Sequence, residues 1–481
     1  MLQATERGNK IRTGDAVCTF LHGRLIPFGF FVFMTGQLWL PNNSSHISQT
    51  YIWLMLPTLL LLLFYGKMCF KGYRCNQLDV TFLGFLLLSV VSFFWSDTSA
   101  DFGRYYKDGL YILLFVTSIG VMIRSPRSNF PVLLEVAAIV AAIGALVSIY
   151  YHFFVDLRPL EYRYQRIFKM GPAGYGDFGN PILSALFFGV FALILYFRIS
   201  SLSCSGLWRG VLLVCLLVIQ LYLTLTWSRG PLIALACAYT VIWCFQRNGM
   251  AAGTFVLLFL VSFVVTNMAE VIVLEPAQSS VTEAHLPYRE VSVSTAAFGI
   301  SDIPESLPDI GAVEQWLNES MNARGTIWVN TAARISESPW FGHGIGAALN
   351  VPFNNGLQIA DHPHSLYLQI AFETGLAGLF LFLSIVYFAA RTCWQFRADP
   401  LIQMAAGLFV FGLVGFVSDV STIIVKPDPF WMLFWLPLGM VIGVRWREQA
   451  GMIGLPSTWR KKGEAESLVI ETVNEEKACS Q

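Results

Sequence analysis

The stretch that decides the fold is Asp361-His362-Pro363-His364-Ser365-Leu366-Tyr367-Leu368-Gln369-Ile370, continued by Ala371-Phe372-Glu373-Thr374-Gly375-Leu376-Ala377-Gly378. Two imidazoles and a carboxylate stand at the end of a long polar segment, and an apolar run begins directly after them. About 20 apolar residues are enough to cross a bilayer as a helix. The stretch therefore predicts a reactive cluster at the boundary between water and lipid, where a lipid-borne substrate can be reached.

The composition predicts an all-α polytopic membrane protein. Of the 481 residues, 55% are hydrophobic and 13% are charged, whereas soluble domains carry about 25% charged residues. The deficit of charge and the repeated apolar runs argue against a soluble globular protein. No cleavable signal peptide is expected, because the first apolar run follows a basic segment and is not followed by a small-residue cleavage site. The net charge of zero gives no reason to expect a nucleic-acid partner.

Twelve apolar runs predict twelve transmembrane helices, with both chain ends in the cytoplasm. The runs lie near residues 25–41, 51–66, 78–96, 109–123, 131–155, 181–197, 210–227, 231–246, 253–274, 365–390, 401–425 and 429–444. The predicted organisation is a cytoplasmic tail (1–24), helices 1–9 (25–274) with an outer loop at 156–180, a large periplasmic loop (275–364), helices 10–12 (365–444) and a second cytoplasmic tail (445–481).

The distribution of charge fixes the predicted orientation. Lysine and arginine are retained on the cytoplasmic side of membrane proteins. In this topology 20 of the 31 cations fall inside, and 20 of the 31 acidic residues fall outside. No cysteine lies in a predicted outer loop, so no disulfide framework is implied.

Eleven cations fall outside against this rule, and the clearest of them is Arg229. It lies in Thr226-Trp227-Ser228-Arg229-Gly230-Pro231, a turn with almost no loop between two apolar runs. One interpretation is an anchor that snorkels beside an interfacial tryptophan. The other is an anion clamp, because a guanidinium group binds phosphate through a bidentate fork and keeps its charge.

The large periplasmic loop contains the second candidate cation, Arg324. A helix is predicted from Ala312 to Ser338, and its tryptophans, Trp328 among them, suit a helix at the membrane interface. Pro339 and the glycines that follow it end this helix. Arg324 alone is typical of a solvated helix face, but the glycine after it is costly within a helix, by about 1 kcal/mol relative to alanine. That glycine indicates close approach by another group.

His364 is the candidate general base, because imidazole titrates near neutral pH and can accept a hydroxyl proton. His362 is the rival candidate, and Asp361 could orient either ring. A structural role at the helix entrance is the plainer alternative. A metal site is not expected, because no further cluster of ligands surrounds the two histidines. The sequence shows no nucleotide-binding or nucleophile-elbow motif, so no cofactor is expected either.

These motifs, taken in order, resemble the O-antigen ligase superfamily of bacterial inner-membrane glycosyltransferases. The resemblance covers about residues 160–390. The matching segments are Phe178-Gly179-Asn180-Pro181, Thr224-Leu225-Thr226-Trp227-Ser228-Arg229-Gly230, Arg324-Gly325-Thr326-Ile327-Trp328, Pro339-Trp340-Phe341-Gly342-His343-Gly344-Ile345-Gly346, His364-Ser365-Leu366-Tyr367-Leu368-Gln369 and Glu373-Thr374-Gly375-Leu376-Ala377-Gly378.

The resemblance implies a metal-independent transfer of a glycan from undecaprenyl diphosphate to an acceptor hydroxyl at the periplasmic face, the acceptor being lipid A core. In that reaction Arg229 and Arg324 would neutralise the diphosphate and His364 would activate the acceptor. We add Arg166 from the outer cations, and Trp328, His362 and Asp361 as supporting residues. The family pattern often has Asn after this histidine, where this chain has Ser365, which leaves the acceptor class open.

Three alternative functions remain, besides a structural protein without catalysis, against which the outer arginines argue. An O-antigen or exopolysaccharide polymerase would use a second lipid-linked glycan as its acceptor, and a protein O-oligosaccharyltransferase would use a protein. A transporter of lipid-linked sugars belongs to another class. Transporters tend to show internal repeats and charges at the membrane midplane, whereas this sequence shows no repeat and its candidate charges lie near one predicted face.

Overall fold

The structure, a computed structural model, describes residues 16–98, 102–156, 166–168, 176–201, 206–273, 324–353, 358–417, 420 and 422–451. The described residues form thirteen longer helices, a three-residue 3-10 helix (Pro126–Ser128) and one short hairpin. The helices are α1 (Ala16–Trp39), α2 (Asn43–Cys69), α3 (Gln77–Trp95), α4 (Phe102–Arg124), α5 (Phe130–Val155), α6 (Pro181–Ser200), α7 (Gly206–Leu225), α8 (Arg229–Gln246), α9 (Gly249–Val273), α10 (Arg324–Glu337), α11 (Leu366–Gln395), α12 (Pro400–Gly415) and α13 (Trp431–Gly451). The strands are β1 (Val351–Phe353) and β2 (Gln358–Ala360), which pair antiparallel.

The prediction of a helical, multi-pass membrane protein is confirmed. Each of the twelve predicted spans overlaps a helix. Among the described residues, eight helices (α1 to α7 and α11) are long and apolar enough to cross a membrane, and α12 and part of α9 are shorter apolar helices. The number of twelve crossings stays a prediction, since α8, α9, α12 and α13 are not among the eight.

Several helices begin or end away from their predicted limits, and α1 and α12 show the largest differences. Within the described residues α1 reaches back to Ala16, into the predicted tail, where His22 Nδ1 and Ser125 Oγ are 2.9 Å apart. The predicted span 401–425 is wrong in length, because α12 ends at Gly415. The apolar residues beyond it pack into the core instead: Ile423 is 3% exposed, and its carbonyl accepts a hydrogen bond from Trp435 Nε1 (2.9 Å).

Proline explains two irregular turns inside the bundle. In both cases a π-helical turn ends two residues before a proline. The first turn ends at Leu25, before Pro27, and the second ends at Met55, before Pro57. Proline lacks an N–H and its ring clashes with the carbonyl four residues back. A wider π turn at that point accommodates the ring without ending the helix.

Small residues allow a close helix crossing between α4 and α13. A Cβ atom at Gly443 would lie 3.0 Å from Cα of Gly120, and one at Gly120 would lie 2.8 Å from the ring of Trp446. Membrane helices associate through such close backbone approach. With Trp431 and Trp435 at 1% and 0% exposure, α13 forms much of the centre of the bundle.

Two ion pairs, one buried and one partly buried, mark the end of the bundle that the cation count predicts to be cytoplasmic. Arg445 pairs with Asp79 (2.5 Å), and Arg198 pairs with Glu135 (2.6 Å). The buried side chains of Asp79 and Arg445 also meet Tyr73, whose hydroxyl donates to Asp79. These pairs tie helix ends together. They lie far from the residues predicted to carry chemistry.

The described part of the polar segment before α11 (324–353 and 358–365) folds into a small unit that packs against the start of α11. Helix α10 packs on the β1–β2 hairpin, and Asn330 Nδ2 donates to Pro352 O (2.7 Å). A separate apolar cluster fills the space between them; its buried members are Ile327, Ala347, Leu349, Val351, Ala360 and Phe372. Since Phe372 belongs to α11, this cluster seats the unit on the transmembrane helix.

Candidate active site

The two histidines lie in a tight turn between β2 and α11. Their ring centroids are 4.2 Å apart, with the planes inclined at 51°. His364 has a φ of 52°, in the left-handed region. Few residues other than glycine take this conformation, although histidine and asparagine do so more readily than most. Strained residues of this kind concentrate at functional sites, which directs attention to His364 rather than to its neighbour.

Trp328 connects α10 to this turn. Its Nε1 donates to the carbonyl of Pro363, between the two histidines, over 3.0 Å. The indole thus fixes the backbone that presents both imidazoles. The sequence predicted Trp328 as a supporting residue, and the structure places it in direct contact with the turn.

Arg324 begins the described part of α10, one helical turn before Trp328. Residues four apart in a helix lie on the same face, so Arg324 is on the face that carries the contact to the histidine turn. Its side chain is half-buried. Gly325, which sequence reasoning marked as costly, is buried in the first turn of the described helix.

Arg229 is exposed at the first residue of α8, and the described first turn contains no acidic residue. The first N–H groups of a helix have no partners within the helix and carry partial positive charge. A guanidinium group beside them makes this helix end suitable for binding an anion. Trp227, two residues before, has a φ of 50°, so the chain turns sharply to expose Arg229.

Contacts at the far ends of two helices show which end of the bundle holds Arg229. Gln246 Nε2, at the end of α8, donates to Phe197 O near the end of α6 (3.5 Å). Asn248 Nδ2 donates to Ser200 O (2.8 Å). Because the last residues of α6 and α8 lie together, their first residues also lie at a common end.

The histidine turn lies at that same end. A Cβ atom at Gly415, the last residue of α12, would lie 2.7 Å from Leu186 in the first turns of α6. The carbonyl of Phe416 accepts a hydrogen bond from the N–H of Leu366 (3.0 Å), two residues after His364. The start of α6, the end of α12 and the start of α11 therefore meet. The candidate base and the candidate clamp face the same side of the bundle.

Arg166 is also exposed, beside the buried Ile167. The short described segment around it approaches the residues before α6, where Phe178 N donates to Phe168 O (3.4 Å). Phe178 packs in turn against Phe187 of α6, with ring centroids 4.7 Å apart and the planes inclined at 41°. Arg166 is thus near the same end of the bundle as Arg229.

Asp361 is exposed at the end of the hairpin, and its role in orienting a histidine stays a prediction. Within the described residues, no three His, Cys, Asp or Glu side chains are grouped so that they could hold a metal ion. Metal independence likewise remains a prediction, which requires a chelator experiment.

Sequence reasoning missed how the glycine-rich segment after α10 is used. Helix α11 is interrupted at Gly375, which has φ 67° and ψ −168°. Leu376 N donates to Pro339 O (2.8 Å), and His343 N donates to Phe372 O (2.8 Å). The segment thus supplies partners for the backbone groups that the interruption frees. The available signal was the number of glycines in Pro339–Gly346.

The hairpin was also missed, although Asn355-Gly356 lies between two short β-prone runs. An Asn-Gly pair in that setting is a strong hairpin signal. The hairpin matters for the site because β2 leads directly into the histidine turn.

Comparison with known proteins agrees with the motifs. Residues 211–383 match the family described as O-antigen ligase. The chain is 26% identical over 429 residues to the O-antigen ligase of Pseudomonas aeruginosa, a match that spans 88% of this chain and 91% of that protein. It is 25% identical over 125 residues to a Rickettsia felis protein provisionally named a polysaccharide ligase, spanning 24% of this chain and 28% of that protein. The predicted resemblance to the O-antigen ligase superfamily is confirmed.

Proposed function

We propose, from the premise that this chain is a membrane protein of the O-antigen ligase family, that it transfers a glycan from undecaprenyl diphosphate to an acceptor hydroxyl at the periplasmic face of the bacterial inner membrane. The acceptor in this proposal is lipid A core. The observation that supports this proposal is the hydrogen bond from Trp328 Nε1 to Pro363 O (3.0 Å). It connects α10, the helix of Arg324, to the turn that contains His364. Arg229 lies at the same end of the bundle.

The reaction is an in-line displacement at the anomeric carbon, with inversion. The bond from that carbon to the diphosphate oxygen breaks as the bond to the acceptor oxygen forms. The hydroxyl proton passes to the imidazole of His364, and undecaprenyl diphosphate leaves. Negative charge grows on the leaving group, and fixed cations stabilise such charge most strongly in a site that excludes bulk water. Arg229 and Arg324 have this role, with Arg166 as a further cation on the donor side.

A transporter of lipid-linked sugars is the alternative from another class, and the interruption of α11 is a feature that transporters share. In transporters the backbone groups at such a break face the substrate or ion. Here the Leu376 N–H and the Phe372 carbonyl are already bonded to the Pro339–Gly346 segment. The interruption of α11 therefore favours a role in holding the site together over a role in a transport path.

Purified protein tests the proposal directly. It is incubated with a lipid-linked glycan and with either lipid A core or a second lipid-linked glycan, with and without EDTA. We expect lipid A core to be extended, at an equal rate with the chelator. Extension of the second lipid-linked glycan instead would identify a polymerase, and transfer to an added protein would identify a protein O-oligosaccharyltransferase. Movement of the lipid across vesicles without any new glycosidic bond would identify a transporter.

A further inference from the structure

Glu373 is a buried acid that the proposed mechanism does not use. It lies two residues before the interruption of α11 and is 9% exposed. Acidic side chains are almost never buried without a partner, and within a membrane segment they usually have a function. Among the described residues the ion pairs do not include Glu373.

The partners of Glu373 are neutral donors. Its Oε1 accepts a hydrogen bond from the N–H of Gly346 (3.2 Å) and another from Nε2 of Gln369 (3.0 Å). Its backbone carbonyl accepts a third, from the N–H of Gly344 (2.8 Å). One residue of α11 therefore holds two positions of the glycine-rich segment, and Gln369 holds the carboxylate in place.

The other side of the glycine-rich segment is fastened to α3. Ile345 N donates to Ser92 Oγ (3.0 Å), and Ser96 Oγ donates to Ile345 O (3.0 Å). A Cβ atom at Gly344 would lie 2.5 Å from Ser96. With α3 on one side and Glu373 on the other, the segment from Gly344 to Gly346 has little room to shift.

This segment stands between the two parts of the site. Before it comes α10 with Arg324, and after it comes the hairpin that ends in the histidine turn. The hydrogen bond from Gly346 N to Glu373 Oε1 joins the two ends of the chain segment 346–373, which contains His364. Movement at this joint would change the separation of the cation and the base.

We infer that Glu373 is a positioning residue, which through Gly346 sets the placement of Arg324 relative to His364. The inference rests on the proposed function, because it concerns the geometry of that transfer. It requires an acceptor oxygen at the end of this side chain. It does not require that the oxygen carry charge or take a proton.

Three variants test this inference in the transfer assay. Glu373→Ala removes the acceptor oxygen, and Glu373→Gln keeps one in the same place. Thr374→Val is the matched control, since the hydrogen bond it removes from the neighbouring buried side chain goes to Ile370 O within α11 (2.8 Å) and not to the glycine-rich segment. Misplacement of reacting groups by about 1 Å costs up to about 100-fold in rate.

We expect Glu373→Ala to lower kcat by about 10- to 100-fold, with the KM for the donor changed less than about threefold. Glu373→Gln and Thr374→Val should keep kcat within about threefold of the unmodified protein. A normal kcat for Glu373→Ala would overturn the inference, and so would a Gln variant as inactive as the Ala variant. If Glu373→Ala does not accumulate, Glu373→Asp replaces it, since its shorter side chain withdraws the oxygen; normal activity would again overturn the inference. Absence of transfer by the unmodified protein would refute the proposed function instead.

Discussion

At the scale of single residues, the backbone of His364 separates it from His362. Both imidazoles were visible in the sequence, but the left-handed φ of 52° at His364 was not. Hydrophobic periodicity locates the start of α11. The backbone conformation of His364, which precedes the N-cap residue Ser365, depends instead on the contacts of the turn with the rest of the protein. The contact here is the hydrogen bond to Pro363 O from Trp328 Nε1, and the two residues are 35 positions apart in the chain. Such a distant contact cannot be predicted from local sequence.

His364→Asn is the sharper test of the base, because asparagine also takes the left-handed conformation at low cost. The variant should fold normally, and its transfer rate should fall by about 10²- to 10⁴-fold, the usual contribution of a general base. His362→Asn should lose less than about tenfold. Rates of purified proteins at saturating donor decide the matter. If His362→Asn is the inactive variant, the base assignment is wrong.

At the scale of elements, the helices were predictable and the segment between them was not. Long apolar runs located each helix of the bundle, because lipid requires the backbone to bond within one helix. The end of α12 was missed because Ile423 and Ile424 are apolar for a different reason, as packing residues outside a helix. The interruption of α11 was missed because the backbone bonds that compensate for it come from Pro339 and its neighbours.

The close packing at Gly375, where α11 is interrupted, predicts that a larger residue there lowers the stability of the protein strongly. A Cβ atom there would lie 2.3 Å from the carbonyl of Trp340, and the backbone has φ 67°. A non-glycine residue in a conformation reserved for glycine costs about 1–3 kcal/mol before any clash is counted. Gly375→Ala should therefore lower the free energy of unfolding by at least about 2 kcal/mol. Thermal unfolding in detergent measures this.

The control is Gly253→Ala, at a helical glycine where an added Cβ atom would meet nothing within 4 Å. Alanine is the better helix former by about 1 kcal/mol, so this variant should unfold at the same temperature or slightly higher. Equal unfolding temperatures for the two variants would show that the joint at Gly375 is not tightly packed.

At the scale of the whole molecule, the two ends of the bundle have different tasks. Buried ion pairs such as Arg445–Asp79 hold the end predicted to be cytoplasmic. The other end exposes Arg229 and Arg166, which sequence reasoning selected because they break the positive-inside pattern. The charge pattern was therefore sufficient to nominate the cations. It could not show that the ends of α6, α11 and α12 meet, since that depends on packing between distant parts of the chain.

The central claim is that Arg229 and Arg324 act together on a diphosphate beside His364. The most direct measurement is glycan transfer to lipid A core by purified Arg229→Ala and Arg324→Ala, with Arg397→Ala, an exposed arginine after α11, as the control. We predict that each of the first two loses at least about 100-fold in rate at unchanged protein level and helix content, while the control stays normal. Near-normal transfer by both Arg229→Ala and Arg324→Ala would contradict the account.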